Sequence, residues 1–196
     1  MRIFGAVLAG GEARRMGGVD KALVVFAGRS LMSHVLDRLE PQVDQVLISA
    51  NGDAARFAAF GFAVVPDDRP QGPLSGVLAC LKRAAEMGAS HLVTTPVDTP
   101  FIPGDLVPQL LLAAEAAPEG LAMARDDSRD HPATAVWPVG LVGALTEYLA
   151  SGGGKVTGFT KVHGAVTARF SDARAFMNLN TPEDLAQAEA WVKGAV

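Results

Sequence analysis

The order of elements along the chain predicts an α/β fold, a three-layer sandwich built on a mostly parallel, Rossmann-like sheet. Two observations carry that expectation. Residues 3–8 form a continuous apolar run, the pattern of a strand covered on both faces, and 46–49 and 91–95 read as further strands. Segments with helical apolar spacing lie between them, and strand–helix–strand alternation builds parallel sheets. Such sheets bind ligands beyond the carboxyl ends of their strands.

The elements follow in order. Ile3–Leu8 is a buried strand. Ser30 caps a helix marked by Leu31, Val35, Leu36 and Leu39, which Pro41 ends. Residues 46–49 form the next strand, closed by Asn51-Gly52. A short helix over 53–60 stops at Gly61, and 62–65 is a third strand. After a loop at 67–73, a helix covers 74–87 and stops at Gly88. Residues 91–95 form a strand that runs into Pro96-Val97-Asp98-Thr99-Pro100. The second half reads as helix 105–117, strands 120–124 and 133–139, helices 141–150 and 156–162, and strand 165–170. Thr181-Pro182-Glu183-Asp184 opens a last helix with a Thr cap, Pro at the first position and acids in the first turn.

Length and composition narrow the function. The 196 residues suit one domain, 1–196, with a substantial core. A net charge of -4 argues against a chain that coats nucleic acid or an anionic membrane. The longest run without Asp, Glu, Lys or Arg, 131–146, holds Pro132 and Pro138 and is too short to span a bilayer. The apolar start is followed by Glu12, Arg14 and Arg15 where a signal peptide needs small neutral residues. A single cysteine, Cys80, excludes an internal disulfide framework and a cysteine-rich zinc site. The expectation is a cytoplasmic protein with no nucleic-acid or membrane partner.

Candidate chemistry gathers after the strands. Leu8-Ala9-Gly10-Gly11-Glu12-Ala13-Arg14-Arg15-Met16-Gly17-Gly18-Val19-Asp20-Lys21 follows the first strand. Its glycines let backbone approach a phosphate chain, and Arg15 and Lys21 add positive charge. It is neither a P-loop nor a dinucleotide fingerprint; an ordinary turn with surface arginines is the alternative. Asp98 suits Mg²⁺, which takes one or two carboxylates with phosphate and water. It also suits a simple turn. Asp67 and Asp68 follow the third strand, where a carboxylate can hold a sugar hydroxyl or the N1 and N2 donors of guanine. Arg129-Asp130-His131-Pro132 is either an anion site or a solvated loop. Asn178 and Asn180 share a side of an extended segment and either read a ligand or help cap the last helix. Cys80 reads as a core residue, and no Ser-His-Asp or Cys-His arrangement stands out.

Together these residues resemble the molybdenum cofactor guanylyltransferase family, within the Rossmann-like nucleotidyltransferases. The resemblance rests on LAGGEARRMGGVDK at 8–21, GPLSG at 72–76, PVDTPFIP at 96–103, RDHPATA at 129–135 and NLNTPEDL at 178–185. It implies GMP transfer from GTP to Mo-molybdopterin, with Mg²⁺ as cofactor. By the same resemblance, the N-terminal half binds nucleotide and the C-terminal half the pterin. Leu8, Ala9, Gly10 and Gly11 would hold the nucleotide, Arg15 and Lys21 its phosphates, Asp67 the guanosine and Asp98 the metal. Arg129, Asp130, His131, Asn178 and Asn180 would approach the pterin. Ser49 stands where the family often has a nucleotide-contacting asparagine, and Asn51 lies one strand period further on. Protein partners would be other molybdenum cofactor biosynthesis proteins and molybdoenzyme chaperones. A cytidylyl or sugar-phosphate transferase, or a GTP-binding regulator without turnover, stays open.

Overall fold

The computed structural model describes residues 1–10, 12–13, 19–67, 72–172 and 174–194. Seven strands form one sheet: β1 (Ile3–Leu8), β2 (Gln45–Ser49), β3 (Ala63–Val65), β4 (His91–Pro96), β5 (Ala122–Arg125), β6 (Asp130–Pro138) and β7 (Val166–Arg169). Their order across the sheet is β7-β5-β6-β4-β1-β2-β3. All neighbours are parallel except at β6, which runs antiparallel to both β4 and β5. The exception has a local cause. Residues 126–129 join β5 to β6 in a tight turn, and so short a connection can only reverse the chain.

The described residues form six α-helices, α1 (Leu31–Leu39), α2 (Pro73–Glu86), α3 (Leu106–Ala114), α4 (Val142–Ala150), α5 (Val156–Val162) and α6 (Pro182–Val192), the first five of which cover the sheet. Two apolar cores result, one on each face. Val7, Ile48 and Val93 pack with Met32 and Val35 of α1 and Leu106 and Leu110 of α3. Phe4, Ala6 and Leu47 pack with Leu74 and Val77 of α2, Leu145 of α4 and Phe159 of α5. Alternation along β1, with Phe4 and Ala6 on one side and Val7 on the other, feeds both cores. That is why its sequence is apolar throughout. A smaller cluster of Val24, Phe26, Leu31, Leu179 and Ala188 seats the C-terminal segment against the N-terminal half.

Local signals account for most boundaries. The Ser30 hydroxyl accepts from the Ser33 N–H at 3.1 Å and starts α1. Residues 54–60 form a 3₁₀ helix, capped by Asp53 and closed by Gly61 at φ 75°. Thr181 and Asp184 form a reciprocal capping box at α6. Two boundaries differ from the sequence expectation by three residues. Helix α3 stops at Ala114, not 117, because Pro118 lies just ahead and the chain leaves through turns. Strand β6 begins at Asp130, three residues early, and carries a register shift between His131 and Ala135.

Candidate active site

Register decides what meets at the carboxyl edge. Leu8 pairs with Ser49 and with Pro96, and Ser49 with Val65. Four strands therefore end level. Gly10, Asn51, Asp67 and Asp98 leave the sheet side by side, from four separate parts of the chain. They border a cleft of about 380 Å³ whose walls include Leu8, Gly10, Lys21, Asn51, Asp67 and Asp98, a volume in the range of small-ligand sites.

Lys21 and Asp98 are its most distinctive pair. Asp20 caps a 3₁₀ turn by accepting from the Ala22 N–H at 3.0 Å, and Lys21 opens that turn. The Lys21 ammonium donates to Asp98 Oδ2 at 2.6 Å and also to Asn180 Oδ1. Lys21 is buried, 9% exposed, so it is no surface loop lysine. The other carboxylate oxygen, Asp98 Oδ1, is buried without a hydrogen-bond partner. Such an oxygen is costly unless something binds it. No group of three metal-ligating side chains occurs among the described residues. One open carboxylate oxygen fits a hard cation that draws its other ligands from phosphate and water.

The far wall is a polar relay. The Asn51 amide donates to Asp67 Oδ1 at 2.6 Å, and the Asp67 N–H returns a bond to Asn51 Oδ1 at 2.9 Å. The Ser75 hydroxyl donates to Asp67 Oδ2 at 2.8 Å. Both Asp67 oxygens thus carry one internal bond, and each keeps a second lone pair. Ser49 lies beneath, 5% exposed, against α2. A Cβ on Gly76 would come within 2.4 Å of the Ser49 hydroxyl, so glycine lets helix and strand close on each other here. Cys80 is fully buried beside them. Burial pushes its thiol up to about 12 despite the neighbouring Ser49 hydroxyl.

At the first strand end the backbone roles differ by residue. The Ala9 N–H is spent on the Ser49 carbonyl at 2.9 Å, and the Leu8 carbonyl accepts from Val97 at 3.1 Å. Gly10 faces open space, with nothing within 4 Å of where a Cβ would stand. Gly11 and Arg15, like Arg14 and Asp68, lie outside the described residues.

The C-terminal candidates divide. Arg129, Asn178 and Asn180 border a second, more open hollow of about 630 Å³, together with Phe176, Asp184 and Trp191. Asn180 belongs to both sites, since its amide oxygen is bound by Lys21. Its segment is docked by the Leu179 N–H on the Asp98 carbonyl at 2.9 Å. It is held from behind by Asp184 Oδ2, which accepts from the Asn180 and Thr181 N–H groups at 2.9 Å each. Asp130 and His131 line neither hollow. Asp130 sits opposite Arg125 in the β5–β6 register and pairs with it. His131 turns inward, bonding Asp126 Oδ2 at 2.8 Å and stacking on Phe176 with centroids 4.6 Å apart.

Asp126, which sequence reasoning did not single out, organises this corner. Its Oδ1 accepts from the Ser128 N–H at 2.7 Å, the Ser128 hydroxyl at 2.6 Å and the Arg129 N–H at 2.8 Å. Burial works to raise its pKa, but these bonds and His131 hold the carboxyl well below the usual carboxylate range. Its partners are spread over a turn and a second strand, so only an Asp two residues before a Ser hints at the role.

A mostly parallel α/β sheet with a buried lysine and an open carboxylate at its carboxyl edge defines a nucleotide-binding enzyme fold of the nucleotidyltransferase type. The chain belongs to the MobA-like NTP transferase family, whose domain matches residues 5–165. It is 55% identical over 98% of both chains to a molybdenum cofactor guanylyltransferase of Cereibacter sphaeroides. It is 40% identical to one of Haemophilus influenzae, covering 93% of this chain and 95% of that one. In fold it resembles molybdopterin-guanine dinucleotide biosynthesis protein A of Archaeoglobus fulgidus, with TM-score 0.81 and 22% identity over 97% of this chain and 99% of that one. No helix among the described residues is long and apolar enough to cross a membrane.

Proposed function

We propose that this protein transfers GMP from GTP to Mo-molybdopterin, forming the guanine dinucleotide cofactor and pyrophosphate. The observation that carries the reading is the buried Lys21–Asp98 pair with its open carboxylate oxygen. It stands in a chain whose 55% identical relative is a named guanylyltransferase. The attacking group is a phosphate monoester, whose second pKa of about 6 leaves it largely dianionic at neutral pH. No general base is needed. The protein aligns the attacking oxygen with the α-phosphorus and offsets charge on the triphosphate.

Lys21, with Arg15 from the same loop, binds the phosphates. Lys21 exchanges its Asp98 and Asn180 contacts for phosphate oxygens when nucleotide enters. Leu8, Gly10 and Gly11 contribute backbone approach. Asp98 holds Mg²⁺, which supplies Lewis-acid neutralisation of phosphate charge when bound. Asp67, aimed by Asn51 and Ser75, contacts the guanosine. Arg129, Asn178 and Asn180 receive the pterin substrate in the second hollow, and Asp126 with His131 holds that hollow's edge in shape. The site is thus split, with Asn180 as the shared wall where the two substrates meet.

The test is pyrophosphate release with molybdopterin and, in turn, GTP, ATP, CTP and UTP. Release with GTP alone, accompanied by dinucleotide product, is the expected result. Equal release with CTP overturns the guanylyl assignment, and tight GTP binding without any release overturns the enzyme.

A further inference from the structure

We infer that Arg56 is a positioning residue for nucleotide binding, acting through Asp20, an inference that rests on the nucleotide-cleft reading above. The Arg56 guanidinium joins two segments that leave different strands. Its Nε donates to Asp20 Oδ2 at 2.5 Å, at the end of the glycine loop. Its Nη1 and Nη2 donate to the carbonyls of Asp53 at 2.5 Å and Asn51 at 2.7 Å, in the loop after β2. The group lies over the Phe57 ring, 4.4 Å from its centroid, and its side chain is 25% exposed. Only a planar fork with several fixed donors satisfies three such acceptors at once.

Two of the three acceptors, Asp20 and Asn51, lead to the cleft, although Arg56 lines neither hollow. Asp20 caps the turn that Lys21 opens. Asn51 passes the restraint through its side chain to Asp67, and Asp67 to Ser75. Arg56 therefore sets the phosphate end and the nucleoside end in one register. It also neutralises a carboxylate adjacent in sequence to the phosphate-binding lysine. An unpaired Asp20 would repel the triphosphate that Lys21 is placed to attract.

The experiment measures nucleotide binding with Mg²⁺ by calorimetry, then KM and kcat, for the wild type, Arg56→Gln, Arg56→Lys, Asp20→Asn and the double variant Arg56→Gln with Asp20→Asn. Arg56→Gln is expected to weaken GTP about tenfold or more in Kd and KM, the scale of one charge-assisted hydrogen bond, with kcat at saturation within about threefold. Arg56→Lys should fall between, since an ammonium restores the charge but not the fork. Removing the Asp20 charge in the double variant should recover most of the lost affinity, a readout that damaged packing does not produce. Wild-type affinity in Arg56→Gln overturns the inference. So does a double variant no better than Arg56→Gln, which would show that Arg56 does not act through Asp20. Thermal unfolding of each variant separates loss of fold from loss of binding. The comparison uses whichever nucleoside triphosphate the wild type binds most tightly. A preference for CTP thus overturns the guanylyl reading and leaves Arg56 and Asp20 still measurable.

Discussion

Lys21 shows how much one buried charge carries. As a loop lysine it should be removable with little loss of stability, but it is 9% exposed and bound to Asp98 and Asn180. Breaking a buried ion pair strands the remaining charge, at about 3 kcal/mol or more. Lys21→Ala is therefore expected to lower the urea midpoint as well as to cut kcat/KM by about two orders of magnitude, the scale of a lost transition-state contact. Asp98→Asn keeps the shape and removes the charge; turnover should fall at ordinary Mg²⁺ and not return when Mg²⁺ is raised. Wild-type turnover in Asp98→Asn would reduce Asp98 to a turn residue. For Asp67, a bidentate pair with guanine has to use the lone pairs left by Asn51 and Ser75. Asp67→Asn should narrow the preference for GTP over CTP by about tenfold or more, because a wrong base no longer leaves those remaining carboxylate lone pairs unmet. Equal losses with GTP, ITP and CTP would put Asp67 on the ribose.

Between elements, α2 approaches β2 closely at Gly76. A methyl at Gly76 meets the Ser49 hydroxyl at 2.4 Å, whereas the Ser49 Cβ is 3.6 Å away. Gly76→Ala should cost about 1–3 kcal/mol by overpacking, measured by denaturant unfolding. In a Ser49→Ala background most of that cost should vanish. If it persists, the helix position is set elsewhere. The β5–β6 turn offers a pH test. The Asp126 pKa is lowered in the folded chain, so its contribution is present above the unfolded value of about 4 and is lost as pH falls through the folded value. Stability is expected to decline below about pH 4 more steeply in the wild type than in Asp126→Asn. Parallel pH profiles would show that the turn does not depend on this charge.

At the scale of the molecule, the N-terminal and C-terminal halves are joined through the sheet and a shared apolar cluster. They share one sheet, joined where β6 hydrogen-bonds to β4, and the segment before α6 packs on residues of the N-terminal half. One cooperative transition is expected, with Trp137 fluorescence, backbone dichroism and GTP protection moving together. Trp137 is fully buried and donates to Thr94 Oγ1 at 2.9 Å, so it reports the sheet centre. Trp191 at the open hollow is half-buried, and Trp191→Phe leaves that central signal alone. Separate transitions would mean that the C-terminal half unfolds by itself.

Local rules written in adjacent residues were enough for the elements. Ser30, Gly61 and the Thr181–Asp184 box mark helix ends through bonds within a few residues, and the two-sided apolar run of β1 follows from a period of two. Those signals made the α/β class legible, and with the glycine loop and Asp98 they pointed to the edge where nucleotide chemistry gathers. Pairing across the chain was not legible. No local rule joins Lys21 to Asn180, Arg56 to Asp20 or Asp126 to His131, and the tight 126–129 turn that reverses β6 sends Asp130 to Arg125 and His131 into the core. Spacing can say which side of a strand a residue takes, but only the register between strands says what stands opposite it. That register is set by the two apolar cores, which are summed over the whole chain. Sequence alone therefore determined the fold class and the edge where the candidate residues gather; the tertiary structure decided which polar groups line the cleft and which hold one another.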